Sequence, residues 1–521
     1  MTLKKPVMHL LFGVASVQHW RLAYQEAVYP TARFPHQLQR KKKKKTSSFS
    51  QMFVATAPQL AAVSMGGSLG YPCVLIQQFQ SNETSIKTDL STLTWIASMH
   101  GVAGIGATLM PTLMQWKGRK YTFIGSTLLL LIGWLLAFVA QSTLTVLLSA
   151  ILHGLSSNCI TIVNLMAVSE MLAPRYRSAS MVLLNINQTI GQFMVAALGS
   201  IFNWQIVALI MCGPATVALL IAFLWPESPS WLAYKGKFED SEKAFVWLRG
   251  NDIDANRELK AMLAAKKGPR IKASKKTKLQ EMWSKMKRRD FYLPSLFMFL
   301  LLLNFYISGA LPLFIYSKDI LQMATRTSEI AVFGYLATVS TLFTGSLISL
   351  ILIRYFKTKT VLSSCVGSIL SLFSCSLVSY LQSIGVVRPD SYLFLYAYLA
   401  YMVFCNSGFN PITFALPIDL MPVKHRGMGG ALFNILTCLL YVVTVKPFLY
   451  IVESISLAGT LLLFGVSCLF CTILIWIYVP ETKNRTLQEI EDYYNYGSFD
   501  RFRHSDDVEV KTPIVKNGVV D

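Results

Sequence analysis

Long apolar runs separated by short polar intervals divide the chain into two sets of six. The first set falls near 52–76, 94–114, 121–141, 143–167, 179–202 and 204–225. The second falls near 291–316, 328–353, 360–383, 391–416, 427–450 and 456–479. Each run is close to the roughly 20 residues an α-helix needs to cross a hydrocarbon layer. A helix satisfies its own peptide groups where no water can do so. The pattern therefore predicts an all-α membrane protein with twelve transmembrane helices in two six-helix bundles. The polar intervals set the domain limits: a basic tail over 1–51, a first bundle over 52–225, a linker over 226–290, a second bundle over 291–479 and a final tail over 480–521.

Composition agrees, and the charge then orients the chain. Residues are 53% hydrophobic and 14% charged, against about 25% charged in a soluble domain. The net charge of +21 gathers in Lys41–Lys45 and in the stretch from Lys235 to Arg289, neither with the aromatic interleaving of a base-stacking surface. Both segments adjoin apolar runs, so they set topology, and nucleic acid is excluded as a partner. Lys117, Arg119 and Lys120, Arg175 and Arg177, the linker, Lys357 and Lys359, and Lys424 and Arg426 all fall on one side. By the positive-inside rule that side is cytoplasmic, with both termini.

Some smaller signals bear on the same question. Asn82-Glu83-Thr84 is a glycosylation sequon in the first loop, on the side expected to be outside. Met1 to Val17 faintly resembles a signal peptide, but cleavage there would leave Lys41–Lys45 outside, against every other loop. The nine cysteines all fall in the apolar runs and read as small packing residues.

The two halves repeat each other. Glu170-Met-Leu-Ala-Pro174-Arg-Tyr-Arg177 resembles Asp419-Leu-Met-Pro422-Val-Lys-His-Arg426, and Pro226-Glu227-Ser228 returns as Pro480-Glu481-Thr482. Such features indicate a duplicated six-span unit. An acid followed seven residues later by an arginine straddles a helix end. Buried there, the two charges are expected to pair. The repeat predicts a cytoplasmic gate of Glu170, Arg177, Asp419 and Arg426. The plainer alternative is that Arg177 and Arg426 only anchor topology.

These motifs resemble the sugar porter family of the major facilitator superfamily. Pro226-Glu-Ser-Pro-Ser-Trp-Leu232 is similar to that family's PESPRWL, with Ser230 in the arginine position. Pro480-Glu-Thr-Lys-Asn-Arg-Thr-Leu487 is similar to PETKGRSL, and Gly408-Phe-Asn-Pro-Ile-Thr-Phe414 to GxGPIPW. The spacing Glu170–Pro174–Arg177, with Asn203-Trp204 and Phe433-Asn434 before Lys446, looks most like the insect trehalose and hexose facilitators. The resemblance implies the major facilitator fold, a cytoplasmic helical domain over 226–290, alternating access around a midplane sugar site, the plasma membrane as location, and Arg119, Glu227 and Glu481 as further members of the cytoplasmic gate; no cofactor or metal is expected.

Departures cluster where the family binds sugar. Its QQLSGIN aligns with Phe305-Tyr306-Ile-Ser308-Gly309-Ala-Leu311, so both glutamines and the asparagine are replaced. Each lost amide removes a hydrogen bond worth about 0.5–1.5 kcal/mol net. The candidate substrate-binding residues left are Asn185, Gln188, Asn410 and Asn434, with Tyr306 and Phe414 as stacking faces. Each amide has a second reading as an interhelical hydrogen bond. Pro72 occupies the position where proton-coupled relatives keep a first-span acid, and no span holds a central Asp or Glu, which favours uniport. Three functions stay open: a sugar facilitator, a facilitator of a less polar solute, and a nutrient sensor that does not transport. The partners expected are a small solute and membrane lipid. No nucleophile–base pair or phosphate loop marks an enzyme.

Overall fold

A computed structural model describes residues 36–80, 86, 88–251, 253–267, 286–355, 358–388, 390–411, 413–414, 421, 425–479 and 494. Regular structure among them is entirely helical. The first half holds α1 (His36–Gln80), α2 (Leu90–Gly104), α3 (Met110–Lys117), α4 (Arg119–Phe138), α5 (Thr143–Met171), α6 (Pro174–Gly199) and α7 (Trp204–Phe223). The linker supplies α8 (Pro229–Tyr234), α9 (Phe238–Arg249) and α10 (Ile253–Lys267). The second half holds α11 (Arg289–Ile307), α12 (Ala310–Ile315), α13 (Ser317–Thr325), α14 (Ser328–Tyr355), α15 (Thr358–Ser383), α16 (Leu393–Phe404), α17 (Arg426–Val445) and α18 (Phe448–Tyr478).

Among the described residues, eleven helices are long and apolar enough to cross a membrane. The expected span at 391–416 runs as α16 and then as a π-helical turn at Cys405–Phe409, and Asn410, Pro411, Thr413 and Phe414 beyond it are again helical. The second span is α2 and α3 joined by a 3₁₀ stretch at Ile105–Leu109. The first helix begins at His36, ahead of the boundary expected at 52. Lysine is a good helix former, so the Lys41–Lys45 run extends the helix beyond its apolar part.

Local chemistry explains several of the breaks. Ser142 and Thr145 form a capping box that starts α5. Asp89 accepts from the Thr92 N–H to start α2. Gly309, at φ 77°, divides α11 from α12, and a β-carbon there would sit 2.3 Å from the Phe464 ring. Gly66 and Gly191 let the α1 and α6 backbones touch, as small residues do between membrane helices.

The halves meet along a seam. For reference, the basic end is the one carrying Lys117, Lys120 and Arg175. Among the described residues, the hydrogen bonds and ring contacts between halves lie at the midplane or at the opposite end. Helix α2 packs on α17, α6 on α14, and the turn before α13 on α1. All nine cysteines are buried free thiols.

Candidate functional site

Two groups of residues stand out: a polar network at the basic end of the first half, and aromatic and amide side chains of both halves near the midplane.

The network centres on Arg119, which opens α4. Its Nη2 donates to Glu170 Oε1 at 2.7 Å, and its Nη1 reaches the Met114 carbonyl at 3.3 Å. Both side chains are mostly buried, 11% and 16% exposed. The second oxygen of Glu170 accepts from Ser228 Oγ, and Ser228 also caps α8 by accepting from the Trp231 N–H. Glu227 lies beside them and accepts backbone N–H bonds from Arg119 and Ser228, both at 2.8 Å, and from Lys120 at 3.2 Å. Burial holds the Glu227 carboxyl above its usual range, against the pull of those bonds and of Arg119. Lys120 Nζ binds the carbonyls of Phe223 and Trp225, satisfying the end of α7. One network therefore ties α4, α5, α7 and the linker together.

The expected pairing of Glu170 with Arg177 is not the one that forms. Arg177 Nε donates to the Leu172 carbonyl at 2.9 Å, and Arg249 Nη2 donates to the same oxygen at 2.8 Å. The chain breaks between α5 and α6 at Leu172–Ala173, exposing a carbonyl that the nearby guanidinium takes, while Glu170 turns to the next helix. Asp419, Glu481 and Asn82 lie outside the described residues. Arg426 opens α17, and its side chain is likewise outside them. Beside it, His425 Nε2 lies 3.5 Å from Asp290 Oδ2, and both are buried. Sequence reasoning missed this pair. The signal was an acid at the first turn of an otherwise apolar run.

At the midplane the two halves contribute differently. From the second half, Phe305 meets Tyr306, Phe409 and Phe414 edge to face at 5.3, 5.7 and 5.5 Å, and Phe414 meets Phe433 at 6.0 Å. Tyr306 is buried, while Phe414 and Phe433 are half-buried. Asn410 is engaged with Asn406 at 3.1 Å. Asn434 donates across the seam to the Gly104 carbonyl at 3.1 Å. From the first half, Asn185 is exposed, and its Nδ2 lies 3.4 Å from the Met181 carbonyl. Gln188 is half-buried with its backbone against Gly66. The structure thus joins Tyr306 and Phe414 in one aromatic wall and leaves Asn185 and Gln188 on the other half. Phe305, Phe409 and Phe433 entered the sequence reading only as motif positions and were not named as binding faces.

The seam away from the basic end is shut by specific contacts. Lys446 Nζ lies 3.0 Å from the centre of the Trp95 ring, a cation–π contact. Tyr441 donates to the Ala97 carbonyl at 3.3 Å, and its ring lies 5.8 Å from His100. Cys73 Sγ approaches the Phe314 carbonyl at 3.8 Å. His100 and His153 line one small cavity between α1, α2 and α5, and the His153 ring packs on Trp134 at 4.3 Å.

The family described as sugar (and other) transporter matches this chain over residues 49–494. The facilitated trehalose transporter Tret1 of Bombyx mori is 25% identical over 459 residues, spanning 86% of this chain and 88% of that protein. Tret1 of Culex quinquefasciatus is 24% identical over 447 residues, spanning 85% and 86%. The proton:xylose symporter XylE bound to 6-bromo-6-deoxy-D-glucose superposes with a TM-score of 0.67 at 16% identity, covering 86% of this chain and 100% of that one. The inward open conformation of XylE from E. coli gives 0.67 at 15% identity, over 84% and 98%. Both share the major facilitator fold. The chain belongs to the sugar (and other) transporter family, whose members are membrane carriers of that fold and not enzymes.

Proposed function

We propose that the protein is a facilitative uniporter of a sugar such as trehalose or a hexose, working by alternating access in the plasma membrane with its basic end in the cytoplasm. The observation that carries this reading is the kind of contact that joins the halves. Each half is packed within itself, while side-chain contacts such as Asn434 to Gly104, Tyr441 to Ala97 and Lys446 to Trp95 join the halves separably at the midplane and at the end away from the basic loops. Two rigid bodies joined in that way can rock about a central site, closing one mouth as the other opens. The relatives named as facilitated trehalose transporters support sugar as the solute. Phe414 offers an aromatic face to a sugar ring while Tyr306, buried against Phe305, supports the wall from within, and Asn185 and Gln188 offer amides to the sugar hydroxyls. Pro72 in the first span and the lack of a carboxylate deep in any span support uniport.

A second reading, a less polar solute, is favoured by the aromatic wall. Asn410 and Asn434 are engaged by other groups, so the second half presents mainly ring carbon to the site. Uptake of radiolabelled trehalose, glucose and fructose, with and without a proton gradient, separates the readings. Saturable uptake that ignores the gradient supports the sugar uniporter. Uptake that follows the gradient contradicts uniport. No uptake of any sugar, with protein confirmed at the surface, contradicts sugar and leaves the less polar solute or a sensor.

A further inference from the structure

Beyond the sugar site, a second polar cluster lies in the seam at the end away from the basic loops. Here α13 lies outside the spans and packs against α1 and α14. A small cavity between the halves is lined by Cys73 and Gln77 of α1, by Tyr316, Lys318 and Asp319 of the second half, and by Tyr335 of α14. Asp319 Oδ2 is buried without a hydrogen-bond partner, and so are the hydroxyls of Tyr316 and Ser317. Gln80, the last residue of α1, hydrogen-bonds the Asp319 carboxyl from the other half. Among the described residues no cation stands within ion-pair distance of it, and its neighbour Lys318 acts only from farther off. The remaining facing groups are two glutamines, a thiol and two phenols, which are ordinarily uncharged below pH 8. On the α16 side, Tyr398 directs its hydroxyl to the Leu313 carbonyl.

A carboxylate with an unpaired buried oxygen is costly in its ionised form and much less so when protonated. That cost exists only while the seam is shut, because opening returns the group to water. We propose that Asp319 is a proton-binding site of the outer gate, and that a proton taken from the outside favours the shut seam. The inference rests on the alternating-access reading above, with α13 on the outer side. Burial lifts the shut-state carboxyl to about 6 from an ordinary 3.8. The shut state therefore holds the proton more tightly, and acid favours shutting. The effect is present below pH 4, fades as pH rises through 6, and is absent above it. Between pH 7.5 and 5.0 linkage gives about a tenfold shift in the open-to-shut ratio.

Distances between spin labels at Ser200→Cys and Val386→Cys, both exposed at the outer ends of opposite halves, read this ratio directly. The measurement uses the full chain in a Cys73→Ser background, because Cys73, buried like the other eight cysteines, lines the cavity that an opened seam would expose. The parent is expected to move toward the short distance by about tenfold on going from pH 7.5 to 5.0. Asp319→Asn is expected to give the acid-like distribution at both values, and Asp319→Glu to keep the pH response. A parent distribution that does not change with pH overturns the proposal, and so does a response that survives in Asp319→Asn. Because the readout is conformation and not uptake, a failed sugar assignment leaves the result intact.

Discussion

Glu227 occupies the space that a side chain at Gly118 would fill: a β-carbon there would lie 2.2 Å from Glu227 Oε2. Gly118 has φ 97° and ψ 177°, a conformation open almost only to glycine, and it ends α3 just before Arg119 opens α4. The turn therefore presents the N–H groups of Arg119 and Lys120 to a carboxylate arriving from the end of α7. Gly118→Ala is expected to lose about 1–3 kcal/mol from backbone strain alone, and to displace Glu227 as well. A lower melting temperature of the purified protein, with reduced uptake at equal surface expression, checks this.

The charge on Glu227 matters less than its shape and acceptors. Because burial raises its carboxyl, the ionised form already meets a desolvation cost. Glu227→Gln is expected to stay within about 1 kcal/mol of the parent, since the amide oxygen still accepts one or two of the N–H bonds. Glu227→Ala leaves those N–H groups buried and unpaired, and is expected to cost about 1–3 kcal/mol. Thermal unfolding of the two variants side by side gives the comparison.

Arg119 and Glu170 form a mostly buried pair, and removing one partner strands the other. Either single alanine variant is expected to cost about 3–5 kcal/mol, and the double variant less than the sum. A double-mutant cycle on melting in detergent tests it. Additive losses would show that the two side chains act independently.

At the midplane, Phe414 joins Phe305 to Phe433 and offers the widest half-buried ring. If a sugar ring lies on it, Phe414→Ala is expected to raise KM about fivefold to tenfold, the equivalent of about 1–1.4 kcal/mol of lost contact. An unchanged KM would move the sugar elsewhere on the wall.

Much of this was legible in the chain, for physical reasons. Apolar runs of twenty residues leave few options other than spans, and the basic loops ordered them. Lys117, Arg119 and Lys120 marked a basic loop, but nothing in them marked the turn that Glu227 fills. Partnership was harder to read. Glu170 and Arg177 are near in sequence, but the helix break gives Arg177 a carbonyl, and Glu170 finds Arg119 from 51 residues away. The aromatic wall was hidden because a phenylalanine in a span looks the same whether it faces lipid or a pocket. The π-turn at Cys405–Phe409 interrupts a span that hydropathy alone draws as one regular helix.

The central claim is that the two halves must part along the seam, from the midplane outward, for solute to cross. A β-carbon at Gly104 would lie 2.8 Å from Cys438 Sγ on the other half, close to the spacing a disulfide needs once the Asn158 side chain turns aside. Uptake of a radiolabelled sugar by Gly104→Cys after oxidation is therefore the most direct measurement. The expected result is uptake abolished by oxidation, restored by reductant, and unaffected by oxidation in Gly104→Cys/Cys438→Ser. Full uptake with the disulfide formed would contradict the account.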